Sequence, residues 1–447
     1  MPTRRRFLRS LSVPAAAGVA GPLLPGALSQ LGLGSADHAA GRAREVLEAF
    51  GNDERSPNEA ARDEGLWREV QQAFTVDRTL VNLNNGGVSP APADVQEAMA
   101  RYLAQSNEAP VHTMWNVLEP GKEPVRARLA RSFGCHPEEM AITRNASESL
   151  QICQFGFDLR DGDEVLTTSH DYPRMITTFR QRERREGIVL RQFDLPVPAE
   201  DDDEVVRLFE ENITDRTRLI LMCHMINITG QILPVGPVVR MARERGIPVI
   251  VDGAHAYAHF AFDAADLDCD YYATSLHKWL FAPFGTGFLH VRRDKIPDLW
   301  PLMAATADQE DDIRKFEEIG THPCPNYLAI GEALTFHEGI GAARKEARLV
   351  HLRDAWAREL LDEDGVSLYT SLEPGYAAGI ATVGVEGVDP GDLVDVLWSE
   401  HRILATPIRA PGVEGIRVSP SVYTTMDELD RFVSVMRRII RNGLTGA

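Results

Sequence analysis

An aspartate and a lysine follow two apolar segments that lie close together in the chain. Asp252 ends the apolar run 249–251, and Lys278 comes 26 residues later, shortly after the apolar segment 271–274. Both runs are typical of buried strands, and an open α/β sheet binds its ligands at the carboxyl ends of the strands. Taken singly, the lysine fits a surface position and the aspartate a solvated one. Together, at the ends of two successive strands, the aspartate and the lysine predict a binding or catalytic site.

The chemistry of this pair fits pyridoxal phosphate. A partly neutral lysine amine can form a Schiff base with the cofactor aldehyde, and a carboxylate at the ring nitrogen keeps the ring cationic and electron-withdrawing. The phosphate needs hydrogen-bond donors of the kind that a helix N-terminus provides. Asn145 and Glu148 have the spacing of a capping box ahead of a helical segment, and Ser147 lies between them. One segment can therefore cap a helix and hold a phosphate.

Further motifs in the same order resemble the class V aminotransferase superfamily of fold-type I pyridoxal-phosphate enzymes. The resemblance covers about residues 80–440 and includes Asn-Ala-Ser-Glu at 145–148, His-Asp-Tyr at 170–172 and Ser-Leu-His-Lys at 275–278. It implies an α/β fold with a mainly parallel seven-stranded sheet in a large domain and a small α+β C-terminal domain. It also implies pyridoxal 5'-phosphate as the cofactor, an amino acid as the substrate and a homodimer with shared active sites.

The resemblance implies a role for each matching residue. Lys278 would carry the cofactor, Asp252 would pair with its ring nitrogen, and Tyr172 would stack on the ring face opposite the lysine. The other implied cofactor contacts are the phosphate ligands Ala146, Ser147, Ser275 and His277, the ring neighbours Asn227 and His255, and Thr321 from the partner subunit. Arg417 would bind the substrate carboxylate near Asn227, because a guanidinium binds a carboxylate through two hydrogen bonds. Without the other motifs, Arg417 fits a surface strand position equally well.

A missing cysteine narrows the reaction. Cysteine desulfurases of this superfamily need a nucleophilic cysteine shortly before the carboxylate-binding arginine, but no cysteine follows Cys324. The pattern instead resembles the isopenicillin N epimerase branch, which implies an external aldimine and α-proton abstraction by Lys278. Epimerisation needs a second proton donor, for which Tyr172, His112 and His322 are candidates. Transamination and β-elimination begin in the same way and stay open, as does a non-catalytic, exported cofactor-binding relic.

Alternating apolar and helical segments predict the elements that position this site. Strand candidates lie at 140–143, 164–167, 219–222, 248–251, 271–274 and 287–291. Helical patterns between them indicate βαβ units and a largely parallel sheet. A further strand candidate at 80–83 leads into the turn 84–87, and the acidic run 200–204 is typical of a helix N-terminus.

Composition shifts along the chain predict its domains. We expect a linker and an N-terminal helical segment over residues 30–80, a large cofactor-binding domain over 81–335 and a small domain over 336–447. The small domain begins with long helical patterns and contains strand candidates at 378–383 and 415–418. This order is typical of an α+β unit.

The first 29 residues resemble a twin-arginine signal peptide. The segment Thr3-Arg4-Arg5-Arg6-Phe7-Leu8-Arg9 precedes an uncharged stretch rich in Ala, Gly, Leu and Pro. We expect the twin-arginine export machinery to recognise it, so that the mature enzyme is periplasmic or extracellular. This route suits a protein that folds around a cofactor before it crosses the membrane.

The overall composition is that of an acidic globular protein. The 447 residues include 66 acidic and 47 basic side chains, and the formal net charge of −19 becomes −23 without the four N-terminal arginines. Such a charge argues against nucleic-acid binding, and the chain has no eighteen-residue apolar run that would anchor it in a membrane. The five cysteines lack paired CxxC spacing, which excludes a disulfide scaffold and a cysteine-built zinc site. Their apolar contexts predict small core residues.

Overall fold

The computed structural model describes residues 47–51 and 53–444, so the predicted signal peptide at 1–29 lies outside the described residues. The described strands, numbered in chain order, are β1 Val81–Asn82, β2 Met140–Thr143, β3 Glu164–Thr168, β4 Val189–Phe193, β5 Thr217–Cys223, β6 Val249–Asp252, β7 Tyr271–Ser275, β8 Gly287–Val291, β9 Val366–Leu368, β10 Ala381–Val385, β11 Ile403–Leu404, β12 Thr406–Ala410 and β13 Val413–Val418.

A seven-stranded sheet forms the centre of the large domain. Its strand order is β2-β8-β7-β6-β5-β3-β4, and β8 runs in the direction opposite to the other six strands. The six strand candidates at 140–143, 164–167, 219–222, 248–251, 271–274 and 287–291 all belong to it. The predicted mainly parallel seven-stranded sheet is therefore confirmed.

Alternate residues of each central strand pack into different hydrophobic clusters. In β6, Val249 and Val251 belong to one cluster and Ile250 belongs to another, as the two-residue period of a strand requires. The helices Ala146–Gly156 and Pro173–Glu186 contribute to the Ile250 cluster. Both faces of the sheet are thus covered, which explains why its inner strands read as continuous apolar runs.

The seventh strand, β4, has no counterpart among the strand candidates. It lies at the edge of the sheet and pairs only with β3 in this sheet. Its sequence Val-Leu-Arg-Gln-Phe is mostly half-buried, and Arg191 reaches towards Glu164 on β3 with an N–O distance of 3.6 Å. An edge strand of this kind lacks the continuous apolar run that marks the inner strands.

Helices connect and cover the strands. Their bounds are Pro57–Ala61, Glu64–Gln72, Ala93–Ser106, Pro110–His112, Lys122–Phe133, Ala146–Gly156, Pro173–Glu186, Asp202–Asn212, Val235–Arg243, Ala264–Leu267, Cys324–Leu328, Ile330–Ile340, Ala342–Leu361, Pro390–Ser399 and Met426–Asn442. The acidic run at 200–204 begins a helix as predicted, because the Asp201 carboxylate accepts hydrogen bonds from the amides of Asp203 and Glu204.

The C-terminal part of the chain forms a second sheet, in the order β12-β13-β10-β9 with all pairs antiparallel. A third hydrophobic cluster joins this sheet to the helices Ala342–Leu361 and Met426–Asn442. The strand candidate at 80–83 forms β1, which pairs with β11 rather than with the large sheet. The turn at 84–87 follows β1, and its Asn84 forms a parallel bridge with Ser419 just after β13.

The short helices Pro57–Ala61 and Glu64–Gln72 precede β1, within the predicted N-terminal helical segment. Ser56 and Glu59 form a capping box at the first, and Asp63 caps the second. The buried Trp67 of the second helix donates its indole N–H to the carbonyl of Ala60 at 2.8 Å. Among the described residues, no helix is long and apolar enough to cross a membrane.

Candidate active site

A cavity with an empty volume of about 650 Å³ opens at the carboxyl ends of β5, β6 and β7. Asp252 is the last residue of β6, Ser275 ends β7, and Cys223 ends β5. The full lining is Gly87, Asn145, Ala146, Ser147, Leu150, Tyr172, Cys223, Met225, Asn227, Asp252, Ala254, His255, Ser275, His277 and Lys278. Nine of the predicted cofactor contacts therefore lie around one cavity.

Lys278 reaches the cavity from the loop after β7. Its Nζ lies 2.9 Å from Nε2 of His255. Desolvation lowers the pKa of Lys278 to about 8, although the nearby carboxylate of Asp252 acts in the opposite direction. A substantial fraction of the amine is consequently neutral near pH 8, which is the form that can attack an aldehyde.

Asp252 is buried, with 4% of its surface exposed. Burial raises its pKa to about 6, while a hydrogen bond from the amide of Ala254 at 3.0 Å and the charge of Lys278 both favour the ionised form. A cation bound beside this carboxylate would lower its pKa and strengthen the interaction. The group therefore suits a protonated ring nitrogen.

Three buried polar atoms at the cavity have no hydrogen-bond partner among the described residues. They are Oδ1 of Asn227, Nδ1 of His255 and Nδ1 of His277. Burial holds the pKa of His255 well below its usual range and lowers that of His277 to about 4, so both rings are neutral at pH 7. Buried polar atoms are normally paired. The unpaired atoms fit a polar ligand such as pyridoxal phosphate.

The helix Ala146–Gly156 points its N-terminus at one end of the cavity. Asn145 caps it, with Oδ1 accepting from the Glu148 amide at 2.8 Å. The predicted capping box is incomplete, because the Glu148 carboxylate instead accepts from the amide and guanidinium of Arg144. The Ala146 amide donates to Oγ of Ser275 at 2.9 Å. This bond joins two predicted phosphate ligands, and the helix terminus attracts an anion.

Tyr172 forms part of the cavity wall just before the helix Pro173–Glu186. The preceding Asp171 fixes its loop, since the Asp171 carboxylate accepts from the hydroxyls of Thr167 and Thr168 at 2.9 and 2.7 Å. The Tyr172 side chain is 40% exposed. Its phenol therefore contacts both the cavity and solvent.

Arg417 lies on β13 of the second sheet and is buried with 6% of its surface exposed. Its guanidinium donates to the main-chain carbonyl of Asn227 and to Oδ1 of Asn84, both at 3.0 Å, while Nε is unpaired. Burial lowers its pKa to about 10, so the group stays charged at pH 7. Within residues 47–51 and 53–444 it forms no ion pair with a carboxylate. A buried, unneutralised guanidinium is suited to an anionic ligand.

Arg417 contacts the lining residue Asn227 but does not itself line the cavity, and three further predicted residues lie away from it in the protomer. His112 and Thr321 are exposed, and His322 lines a separate cavity together with Arg144 and Glu148. Of the three candidate proton donors, only Tyr172 lines the cavity of Lys278. Thr321 was predicted to act in the partner's site, and that stays a prediction.

Sequence reasoning missed several residues at the site, three of which bear on its chemistry. Gly87 and Cys223 line the cavity, and Asn84 contacts Arg417. Cys223 is still a buried member of a hydrophobic cluster, as predicted for the cysteines. The Asn-Asn-Gly-Gly turn at 84–87 was visible in the sequence, but its contact with Arg417 depends on how the two sheets pack.

The "aminotransferase class-V" family model matches residues 81–432 of the chain. Isopenicillin N epimerase from Streptomyces clavuligerus is 30% identical over 387 residues, which cover 83% of this chain and 97% of that protein. A probable cysteine desulfurase from Pseudomonas aeruginosa is 29% identical over 402 residues, covering 83% of this chain and 97% of its own.

The fold is also similar to that of solved structures. The apo structure of a cysteine desulfurase from Thermococcus onnurineus NA1 matches with a TM-score of 0.72 at 23% identity, covering 83% of this chain and 98% of that chain. At this identity the likeness concerns the fold alone. It agrees with the predicted fold-type I architecture.

Proposed function

The chain belongs to the class V aminotransferase family of pyridoxal-phosphate enzymes, and we propose that it epimerises the α-carbon of an amino acid. The observation that carries this proposal is that Lys278, Asp252 and Tyr172 all line the same cavity. In the proposed reaction Lys278 serves one face of the substrate and Tyr172 the other. The likeness to isopenicillin N epimerase supports this choice over other family reactions.

Lys278, Asp252 and Arg417 each have a separate role in the proposed reaction. Pyridoxal phosphate, when bound, supplies a cationic ring that withdraws the electrons left by loss of the α-proton. Asp252 stabilises that ring charge, and Lys278 takes the α-proton, because an amine with a pKa of about 8 is an effective base near neutral pH. Arg417 binds the α-carboxylate and so orients the α-hydrogen towards Lys278.

Tyr172 is the proposed second proton donor. Tyr172 lines the cavity and is 40% exposed, so that its phenol can exchange its proton with water. A donor on the second face is what separates epimerisation from a reaction that returns the proton to the same face. Neither His112 nor His322 lines this cavity, so Tyr172 is the best placed of the three candidates.

The cavity gives little support to persulfide chemistry, although cysteine desulfurases are among the relatives. Cys223 is the cysteine that lines it, and burial together with the nearby Asp171 holds the pKa of its thiol well above the usual range. A thiol, unlike a thiolate, is a poor nucleophile. No cysteine follows Cys324, so the loop before Arg417 has none.

The test is to incubate the holoenzyme with L- and D-amino acids in deuterated water. Epimerisation predicts α-deuteration with the amine retained and the chirality scrambled. Keto acid that forms only with an amino acceptor would indicate a transaminase, and keto acid with loss of a β-substituent would indicate a β-lyase.

A variant pair tests the proposed proton donor. Tyr172→Phe should abolish conversion between enantiomers while deuteration of one enantiomer continues, because Lys278 still acts on its own face. Tyr376→Phe serves as the matched control, because Tyr376 does not line the cavity, and it should epimerise at the wild-type rate. Full epimerisation by Tyr172→Phe would contradict the role of Tyr172.

We further propose that the enzyme is a homodimer in which Thr321 contacts the phosphate in the partner's site. Its exposure in the protomer is compatible with such a contact. The holoenzyme should sediment at twice the 49.5 kDa chain mass, less any removed leader. Thr321→Ala should weaken cofactor retention, and a cofactor-bearing monomer would contradict the proposal.

Export by the twin-arginine pathway remains a proposal that rests on residues 3–9. Replacing Arg4 and Arg5 by lysine should trap the protein in the cytoplasm, while the same change at Arg6 and Arg9 should not. Periplasmic accumulation of the Arg4, Arg5 variant would contradict it.

A further inference from the structure

The turn at residues 84–87 contacts the buried guanidinium of Arg417. Oδ1 of Asn84 accepts a hydrogen bond from one terminal nitrogen at 3.0 Å, and the carbonyl of Asn227 accepts from the other. Both acceptors are neutral. Together they fix the plane of the guanidinium without cancelling its charge, since Arg417 has no ion pair within the described part of the chain.

Hydrogen bonds of the Asn84 backbone and of its neighbours in the chain hold Asn84 in this position. Its amide donates to Oδ1 of Asn82 at 3.0 Å, and it forms a parallel bridge with Ser419, two residues beyond Arg417. Ser419 also donates its amide to Leu83 at 2.7 Å and accepts from the amide of Asn85 at 3.1 Å. The register between the turn and the end of β13 therefore sets where the Asn84 side chain meets Arg417.

The same turn reaches the cavity. Gly87 lines it, and a Cβ built on Gly87 would lie 3.4 Å from Oδ1 and 3.5 Å from Nδ2 of Asn84. The Asn84 amide is thus adjacent to a residue of the cavity wall. Asn84 and Arg417 therefore lie beside the cavity, next to its lining residues Gly87 and Asn227.

We propose that Asn84 is a positioning residue that orients Arg417 for the substrate α-carboxylate and leaves its charge available to that carboxylate. This inference rests on the proposed role of Arg417. An aspartate at position 84 would have nearly the same shape but would form an ion pair with Arg417, because opposite charges at hydrogen-bond distance attract strongly in a buried site. The substrate carboxylate would then compete with the introduced aspartate carboxylate for the guanidinium of Arg417.

The experiment compares wild-type holoenzyme with Asn84→Asp and measures ligand affinity from the change in cofactor absorption. The ligands are L-alanine and L-leucine, with their decarboxylated counterparts ethylamine and isoamylamine. In the variant the dissociation constants of the amino acids should rise about tenfold or more, since a charge-assisted hydrogen bond is weakened. Those of the amines should stay within about twofold, because they make no contact with Arg417.

The amines distinguish positioning from a structural role. If Asn84 only stabilised the turn, Asn84→Asp would weaken both ligand classes alike or release the cofactor, and either result would overturn the inference. An unchanged preference for amino acids over amines would also overturn it, while leaving the proposed function intact. A wild-type holoenzyme that responds to none of a full panel of L- and D-amino acids would overturn both.

Discussion

Burial shifts the two ionisable groups of the proposed reaction in opposite directions. It lowers the pKa of Lys278 to about 8 and raises that of Asp252 to about 6. A larger fraction of the lysine amine is thereby neutral and able to accept a proton near neutral pH, and the aspartate becomes a group whose charge is stabilised by a bound cation. The pKa values of these two groups are therefore set more by desolvation than by direct ion pairing.

Removing the charge of Asp252 tests its proposed role. Asp252→Asn keeps the shape and the acceptor for the Ala254 amide, but it cannot stabilise a cationic ring. The rate of α-deuteration should fall about 10²–10³-fold, as when one electrostatic stabiliser of a transition state is lost. Visible absorption of the bound cofactor should persist, because Lys278 is intact.

A control for charge alone is Asp298→Asn, since the Asp298 side chain is 61% exposed and lies away from the cavity lining. It should deuterate substrate at the wild-type rate. A wild-type rate in Asp252→Asn would show that the ring charge needs no carboxylate at this position.

At the scale of elements, the strand ends determine which residues meet. The apolar runs before Asp252 and Lys278 were readable in the sequence, and parallel pairing of β6 with β7 brings their carboxyl ends together. The contacts of Asn84 with Arg417 and of His259 with Gly379 span 333 and 120 residues. No local pattern encodes them, because they depend on how the two sheets pack. For the same reason the edge strand β4, stabilised by one neighbour in its sheet, escaped prediction.

The loop after β6 contains a non-glycine residue in the left-handed region. Ala258 has φ 60°, whereas the buried Ala256 of the same loop lies outside that region. A left-handed conformation costs an L-residue about 1–2 kcal/mol, and glycine avoids this cost. Ala258→Gly should therefore leave the free energy of unfolding within about 0.5 kcal/mol of wild type, or raise it, once the lost methyl contact is included.

Ala256→Gly is the matched comparison. It removes the same methyl group and gains no relief of strain, so the free energy of unfolding should fall by about 1 kcal/mol. Urea denaturation of both variants measures the difference. Equal losses in the two variants would contradict a strained backbone at Ala258.

At the scale of the whole molecule, buried histidines join the two sheets around the cavity. His170 donates from Nε2 to the carbonyl of Pro411 at 2.8 Å. His259 donates from Nδ1 to the carbonyl of His255 and accepts at Nε2 from the amide of Gly379, both at 2.8 Å. The His259 ring also stacks on Trp279, next to Lys278. The small domain is thereby connected to the loop that carries the lysine.

This burial predicts how stability depends on pH. Burial lowers the pKa of both His224 and His259 to about 3, whereas unfolded histidine titrates near 6.5. Between these values the unfolded chain binds protons that the folded chain does not, so the free energy of unfolding falls as the pH falls. Each histidine contributes a slope of up to about 1.4 kcal/mol per pH unit.

Removing one histidine should reduce that slope. His259→Asn lacks one titrating group, so its free energy of unfolding should fall less steeply than that of wild type between pH 6 and pH 5. The expected difference is about 1 kcal/mol per pH unit, measured by urea denaturation at each pH. Parallel pH profiles would mean that His259 is not held neutral in the folded protein.

The net charge of −19 argues against nucleic-acid partners and does not bear on the reaction. The proposed reaction depends on two local cations, Lys278 and Arg417.

The most direct test of the central claim is the visible absorption of purified protein reconstituted with pyridoxal phosphate. Wild type and Lys295→Ala, a surface lysine variant, should both absorb in the visible, whereas Lys278→Ala should not. A colourless wild type, or a Lys278→Ala variant with the wild-type spectrum, would contradict the assignment of Lys278 as the residue that carries the cofactor.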